Sequence, residues 1–305
     1  MSMTYLTLLR TLTPLHVGTG QSVGAIDLPV ARERATSWPI VPGSSLKGVL
    51  RDAAMRAFVE QHGLSDDDAG QEQAEGHVAP LFGRGGDEQA HAGAFAFSDM
   101  RLICMPVRSY AGTFAYVTCE LAVQRLSELL NLAGAEDVQS KPFEVTDPHK
   151  CKCLGNAAVR FRSNQVILED LDLNADPLDP EPSAAFAKAI SAGLGVHPDE
   201  IAKRLVCVES SMFTYLVNFA TELVTHVTLD FATKSAKKGY LRQEETVPTE
   251  AIFAGIATAQ FGPISKREDA TKLFEALLNR NILQFGGKAT SGMGLCRFAA
   301  FGGGQ

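Results

Sequence analysis

Apolar positions recur at two periods along this chain, and the switching between them outlines the fold. Residues 4–13 alternate loosely and are rich in Leu and Thr, which predicts a first strand. After a glycine-rich stretch, Leu46, Val49, Leu50, Ala53 and Ala57 return at helical spacing and predict a helix over 44–62. Pro42-Gly43 makes a turn ahead of it, and Ser44 or Ser45 is placed to cap it. Residues 63–89 are polar, acidic and rich in Gly, the pattern of a mobile excursion. Strand patterns follow over 93–105 and 113–119, then a helix over 121–132 with Leu121, Leu126, Leu129 and Leu130 inward.

The pattern breaks at 134–215, which holds a short basic segment, an acidic Pro-rich loop over 171–182 and helices over 183–192 and 198–205. We treat this stretch as an inserted subdomain. Alternation resumes at 221–232, with Leu223, Val227 and Leu229 among the apolar positions, and again at 247–260. Between them KSAKKGYLRQEE predicts a projecting hairpin over 232–247. A helix over 265–280, with Ser265 as its cap, precedes strands at 282–285 and 295–298. The order suits an α+β fold: a ferredoxin-like (RRM-type) antiparallel sheet, or palm, from residues 1–133 and 216–305, with the insertion and the hairpin attached.

Composition adds bounds. The 305 residues are 45% apolar, ample for a core in one large domain or two. No apolar run reaches the roughly 18 residues of a membrane span, and the first residues lack the pattern of a signal peptide. Six cysteines without framework spacing fit a reducing cytoplasm. The net charge of −7 is unevenly spread: 65–75 and 169–181 carry 11 of the 35 acids and no Lys or Arg, leaving 24 acids against 28 basic residues elsewhere. Such a balance permits a nucleic-acid partner without arguing for one.

The chemistry concentrates in three stretches. The loop 14–38 brings His16, several glycines and Asp27 up to the start of the 44–62 helix. There free N–H groups, Ser44, Ser45, Lys47 and Arg51 offer a seat for phosphate. An acid near such a seat can assist attack by a ribose 2′-OH or hold a divalent cation, Mg or Mn. Near the C-terminus Gly286, Gly287, Lys288, Ser291 and Gly292 form a second loop where backbone can approach an anion. It is not a nucleotide-binding Walker loop: Ile282 stands where the first Gly belongs and Ala289 follows the lysine, so no nucleotide cofactor is expected. The hairpin carries Lys234, Lys237, Lys238, Arg242 and Tyr240, suited to tracking a strand and stacking on a base, and then Glu244 and Glu245. Arg32 and Arg34 could contact phosphates, whereas Arg101, Arg108 and Arg125 are dispersed and equally suit structural pairing. His149, Cys151 and Cys153 lack a usual zinc spacing, and Cys104, Cys119, Cys207 and Cys296 fit the core.

TPLHVGTG, AIDLPVARE and PGSSLKGVLR, in this order, resemble the N-terminal signature of the RAMP superfamily, the RNA-binding subunits of CRISPR effectors. GAFAFSDMRLICMPVRSYAGTFAYVTCELAVQRL and LQFGGKATSGMGLCRF extend the likeness to the repeating backbone (fourth) subunit of the Cmr, type III-B, complex. The resemblance implies copies arrayed along a guide CRISPR RNA with other Cmr subunits. It further implies a thumb that distorts the paired target RNA, and cleavage at regular intervals in antiviral defence. It carries the catalytic role to Asp27, with His16 and Glu244 or Glu245 as helpers and a divalent cation at Asp27. It also carries RNA contact to Gly286, Gly287, Lys288, Ser291 and Gly292. A non-catalytic RNA-binding scaffold, a nucleotide-binding enzyme and a guide-processing endonuclease using His16 are the alternatives.

Overall fold

The computed structural model describes residues 3–18, 26–65, 67–85, 90–136, 138–162, 164–230, 232–233, 235–261, 264–278 and 281–302. The first strand, β1 (Met3–Thr11), is interior to the main sheet and pairs antiparallel with β8 (Ile252–Ala259) on one edge and β9 (Leu295–Gly302) on the other. Strict alternation sends Leu6 and Leu8 to one face and Tyr5 and Leu9 to the other, and all four are buried. A strand buried on both faces requires helices on both sides of the sheet, and the chain supplies them. Leu6 and Leu8 share a core with Val123, Leu126 and Leu130 of α3 (Glu120–Leu132) and with Phe186 and Ile190 of α4 (Pro180–Ser191). Tyr5 and Leu9 share the other with Leu46, Leu50 and Ala54 of α1 (Gly43–His62), Phe213 of α6 (Ser210–Ala220) and Phe274 of α7 (Ile264–Leu277).

From β8 the sheet continues through β2 (Met100–Arg108) and β3 (Phe114–Cys119), all antiparallel. Residues 134–215 then join the same sheet. Their strand β5 (Leu205–Val208) runs parallel to β3 and antiparallel to β4 (Lys150–Cys153). Among the described residues this makes a 13-stranded mixed sheet within an α+β fold. The short α5 (Pro198–Arg204) leads into β5.

Two segments differ from the expected pattern. Residues 68–82 are not an excursion but a helix, α2 (Asp68–Phe82), capped by the Asp67 carboxylate, which accepts the Gly70 N–H at 2.9 Å. Ala74, Val78, Leu81 and Phe82 form its buried stripe, while its acids face solvent and dominate the local composition. The hairpin also pairs differently. β6 (Glu222–Leu229) is bonded to β7 (Ala236–Thr246) in a separate two-stranded sheet, so residues of the expected projection form one of its two strands. Leu223 and Val227, apolar positions of this alternation, are about half exposed on the separate two-stranded ribbon.

Candidate nucleic-acid interface

The loop after β1 is anchored at both ends before it reaches α1. Trp38 is buried against Phe213 with ring centroids 4.7 Å apart, and its Nε1–H donates to the Thr214 hydroxyl at 2.9 Å. Glu33 accepts from Arg125 at 2.9 Å and lies 3.8 Å from Arg101, so both arginines serve structure. Burial alone would raise the Glu33 carboxyl, but the Thr36 hydroxyl and the Arg125 guanidinium outweigh it and hold it below its ordinary value. Closer to β1, the Ala31 N–H donates to the Val17 carbonyl at 2.7 Å.

Between these anchors the loop lies along the free edge of β7. The Leu28 N–H donates to Gln243 O at 3.2 Å and the Glu245 N–H returns to Leu28 O at 3.0 Å, a short parallel pairing. Asp27 is exposed, and its Oδ2 accepts the Gln243 N–H at 2.8 Å. Glu245 is buried: it accepts the Val30 N–H at 3.0 Å and forms an ion pair with Arg32, which also donates to Asn218 Oδ1 at 3.0 Å. Arg32 is therefore committed to the loop rather than presented to a ligand. His16 is buried under the same strand, and its Nδ1–H donates to Glu245 O at 2.8 Å. A carbonyl only accepts, so this contact fixes the proton on Nδ1.

The second glycine loop packs from the other side. Gly286 has φ +68°, and a Cβ there would sit 2.0 Å from the His16 carbonyl oxygen, which itself accepts the Gly287 N–H at 3.1 Å. Gly294 N–H donates to Pro14 O at 2.8 Å. Residues 286–292 are exposed, with a single 3-10 turn, Ala289–Ser291, at the tip. Lys288 turns inward from this loop, its Nζ 3.0 Å from Glu244 Oε2. Glu244 is fully buried, with His226 Nε2 at 3.3 Å and His16 Nδ1 at 3.8 Å. Three segments far apart in sequence thus meet on one strand segment, Gln243–Glu245.

The start of α1 is arranged differently from expectation. Pro42, not Ser44 or Ser45, is the capping position, and neither serine side chain makes a cap bond. The first N–H, from Gly43, is taken by Asp99 Oδ1 at 2.8 Å. A carboxylate already occupies this end of the helix dipole, which weakens it as a phosphate seat. Ser44 is exposed and Ser45 and Lys47 are half-buried, while Arg51 pairs with Glu75 at 3.1 Å. The side chains of Lys237, Lys238 and Tyr240, and all of Lys234, lie outside the described residues. So does the stretch 19–25 of the first loop. His226, Asp99 and the Gln243 N–H were not singled out from sequence. His226 carried only the weak signal of a polar residue inside an alternating strand.

Chemically, Asp27 offers one oxygen fixed by a backbone N–H and a second available to a proton or a cation. Among the described residues no group of three His, Cys, Asp or Glu side chains could enclose a metal ion. A lone carboxylate oxygen is the kind of ligand that Mg²⁺ combines with phosphate and water oxygens.

Residues 8–297 match the RAMPs model, RAMP superfamily. The chain belongs to the RAMP superfamily. Over 298 residues, this RAMP protein is 32% identical to CRISPR system Cmr endoribonuclease Cmr4 of Pyrococcus furiosus, covering 96% of this chain and 94% of that one. A more distant relative is CRISPR system Cms endoribonuclease Csm3 of Mycobacterium tuberculosis, 31% identical over 137 residues, 43% of this chain and 56% of that one. The solved structure of oligomeric Cmr4 from Pyrococcus furiosus is similar with a TM-score of 0.69 and 26% identity, covering 98% of this chain and 97% of that one. A subunit of the type III-B Cmr-beta complex bound to cognate target RNA shares the fold, with a TM-score of 0.72 at 20% identity, covering 97% and 96%. Among the described residues, no helix of this RAMP protein is long and apolar enough to cross a membrane.

Proposed function

We propose that the chain is the repeating backbone subunit of a cytoplasmic type III-B CRISPR effector. In this reading it binds guide RNA along the sugar-phosphate backbone, associates with further copies of itself and other Cmr subunits, and cleaves the paired target RNA. The Cmr4 relative, an endoribonuclease that this chain covers almost end to end, supports the reading. The palm would be the ferredoxin-like part of the sheet, 134–215 a subdomain added to it, and the β6–β7 ribbon the thumb that displaces a target nucleotide.

The observation that carries the cleavage role is the exposed Asp27 carboxylate, tethered to the Gln243 amide. With a target nucleotide splayed there, Asp27 takes the 2′-OH proton as the oxygen attacks the adjacent phosphorus. The bond to the 5′ oxygen breaks, and that oxygen gains a proton, leaving a cyclic phosphate and a 5′-hydroxyl. The exposed loop 286–292 would run along phosphate and fix register without reading bases, although the N–H groups of Gly287, Ser291 and Gly292 are taken by carbonyls of His16, Lys288 and Ala289. A divalent cation, held through the free Asp27 oxygen, would neutralise phosphate charge and ease ionisation of the 2′-OH. Glu244 is buried, which supports a role through the groups it holds rather than at the phosphate.

The test is target-RNA cleavage by assembled complexes carrying wild-type chain or Asp27→Asn, with RNA binding recorded in parallel. Loss of about a hundredfold or more in rate with binding retained is expected of a missing base or cation ligand. An unchanged rate would make Asp27 a turn residue, leaving either a scaffold subunit or chemistry that belongs to His16 and the ribbon.

A further inference from the structure

Glu244 presents an unusual combination: complete burial, three converging basic groups, and no hydrogen-bond partner of regular geometry for either oxygen among the described residues. A buried carboxylate is tolerated only when cations compensate it. Lys288 enters from the glycine loop and His226 from the neighbouring strand of the ribbon, where its Nε2 is itself buried without a hydrogen-bond partner of regular geometry. The register explains the second contact. Val224 faces Glu244 and His226 faces Arg242, so His226 and Glu244 are diagonal neighbours on one face of β6–β7.

The residues on either side of Glu244 hold the loop. Gln243 gives its N–H to Asp27, and Glu245 gives its carbonyl to His16 and its carboxylate to Val30 and Arg32. Fixing the Glu244 side chain therefore fixes the strand segment on which Asp27 rests. We propose that His226 is a positioning residue for the cleavage assigned to Asp27. Together with Lys288 it grips Glu244 and so locks Gln243–Glu245 in the register that aims the Asp27 carboxylate. The inference rests on the cleavage reading above, and it gives His226 no contact with RNA.

Complexes assembled with wild type, His226→Leu, His226→Gln, Asp27→Asn and the Asp27→Asn/His226→Leu pair separate the cases. Single-turnover cleavage is measured per assembled complex, beside guide and target affinity. His226→Leu is expected to cut about tenfold or more slowly, as a small misplacement of a reacting group does, with affinities within about twofold. His226→Gln, whose amide N–H reaches about as far as Nε2, is expected to stay within about threefold of wild type. The double variant is expected to be no slower than Asp27→Asn alone, because both changes act through one group. Hydrogen exchange at the Gln243 amide of the isolated chain gives a second readout that does not depend on assembly. It is expected to be faster in His226→Leu and unchanged in His226→Gln.

Wild-type cleavage by His226→Leu beside an inactive Asp27→Asn overturns this proposal alone. So does a Gln variant as slow as the Leu variant, or RNA affinity falling in step with rate. Wild-type cleavage by Asp27→Asn overturns the underlying assignment instead, whatever His226 does.

Discussion

The Asp27 carboxylate and the Gln243 amide, 216 positions apart in sequence, share a hydrogen bond of 2.8 Å. It uses the edge of β7 that faces away from β6, so it competes with no bond of the ribbon. Asn at 27 keeps an acceptor for that amide and Ala does not. Both variants are expected to lose cleavage, yet only Asp27→Ala should speed hydrogen exchange at Gln243, by about tenfold if the charge-assisted bond contributes about 1.5 kcal/mol. Amide exchange followed by NMR or mass spectrometry checks this, and separates the chemical role of the carboxylate from its tether.

Two adjacent glycines should respond oppositely to one methyl group. Gly286 has φ +68° and would drive a Cβ to 2.0 Å from the His16 carbonyl, whereas a Cβ on Gly287 meets nothing within 4 Å. Gly286→Ala should cost at least about 2 kcal/mol in urea unfolding, since left-handed backbone alone costs an L-residue roughly 1–2 kcal/mol. Gly287→Ala should stay within about 0.5 kcal/mol. Any loss of RNA affinity in Gly287→Ala would then report crowding of the exposed loop and not misfolding.

The ion pair at the far end of the loop predicts a pH dependence with a definite sign. Burial pushes the Glu33 carboxyl up, but Thr36 and Arg125 pull it further down, so its folded value lies below the ordinary 4.5. A depressed carboxyl contributes stability that is fully present above the unfolded value and is lost as pH falls through the folded one. Glu33→Gln should therefore be less stable than wild type at pH 7. The gap should begin to narrow as pH falls past about 4.5 and close only below the depressed folded value, where the native wild-type carboxyl also takes up its proton. Urea titrations of both chains at neutral and acidic pH give the comparison.

Local pattern and long-range contact explain what could be foreseen. The stripe Leu46, Leu50 and Ala54 repeats every four residues, and α1 follows from it; β1 follows from Leu and Thr alternation in the same way. The cap of α1 does not, because Asp99 reaches Gly43 across 56 positions while two serines stand closer in sequence. In α2 the buried residues are spaced as a helix demands, but Asp67, Asp68, Glu72 and Glu75 outweigh them in any composition-based reading. His16, Asp27 and Lys288 each sit beside glycines that mark loops. His16 and Asp27 reach Gln243–Glu245 across more than 200 residues and Lys288 from a separate loop, contacts that no local window contains. Leu223 and Val227 mark their strand correctly yet are about half exposed, because alternation tells that a strand has two faces, not that either face is covered.

The placement of β1 has a consequence for biosynthesis. Both of its partners, β8 and β9, lie beyond residue 251, so this interior strand of the sheet is translated long before either neighbour exists. Contacts of such sequence separation form slowly, and unpaired strand edges invite other chains. During synthesis Tyr5, Leu6, Leu8 and Leu9 wait with both flanks open, and on a crowded polysome identical nascent strands wait beside them. Growth in the cell should thus depend on holding chaperones more than the finished, densely buried sheet would lead one to expect.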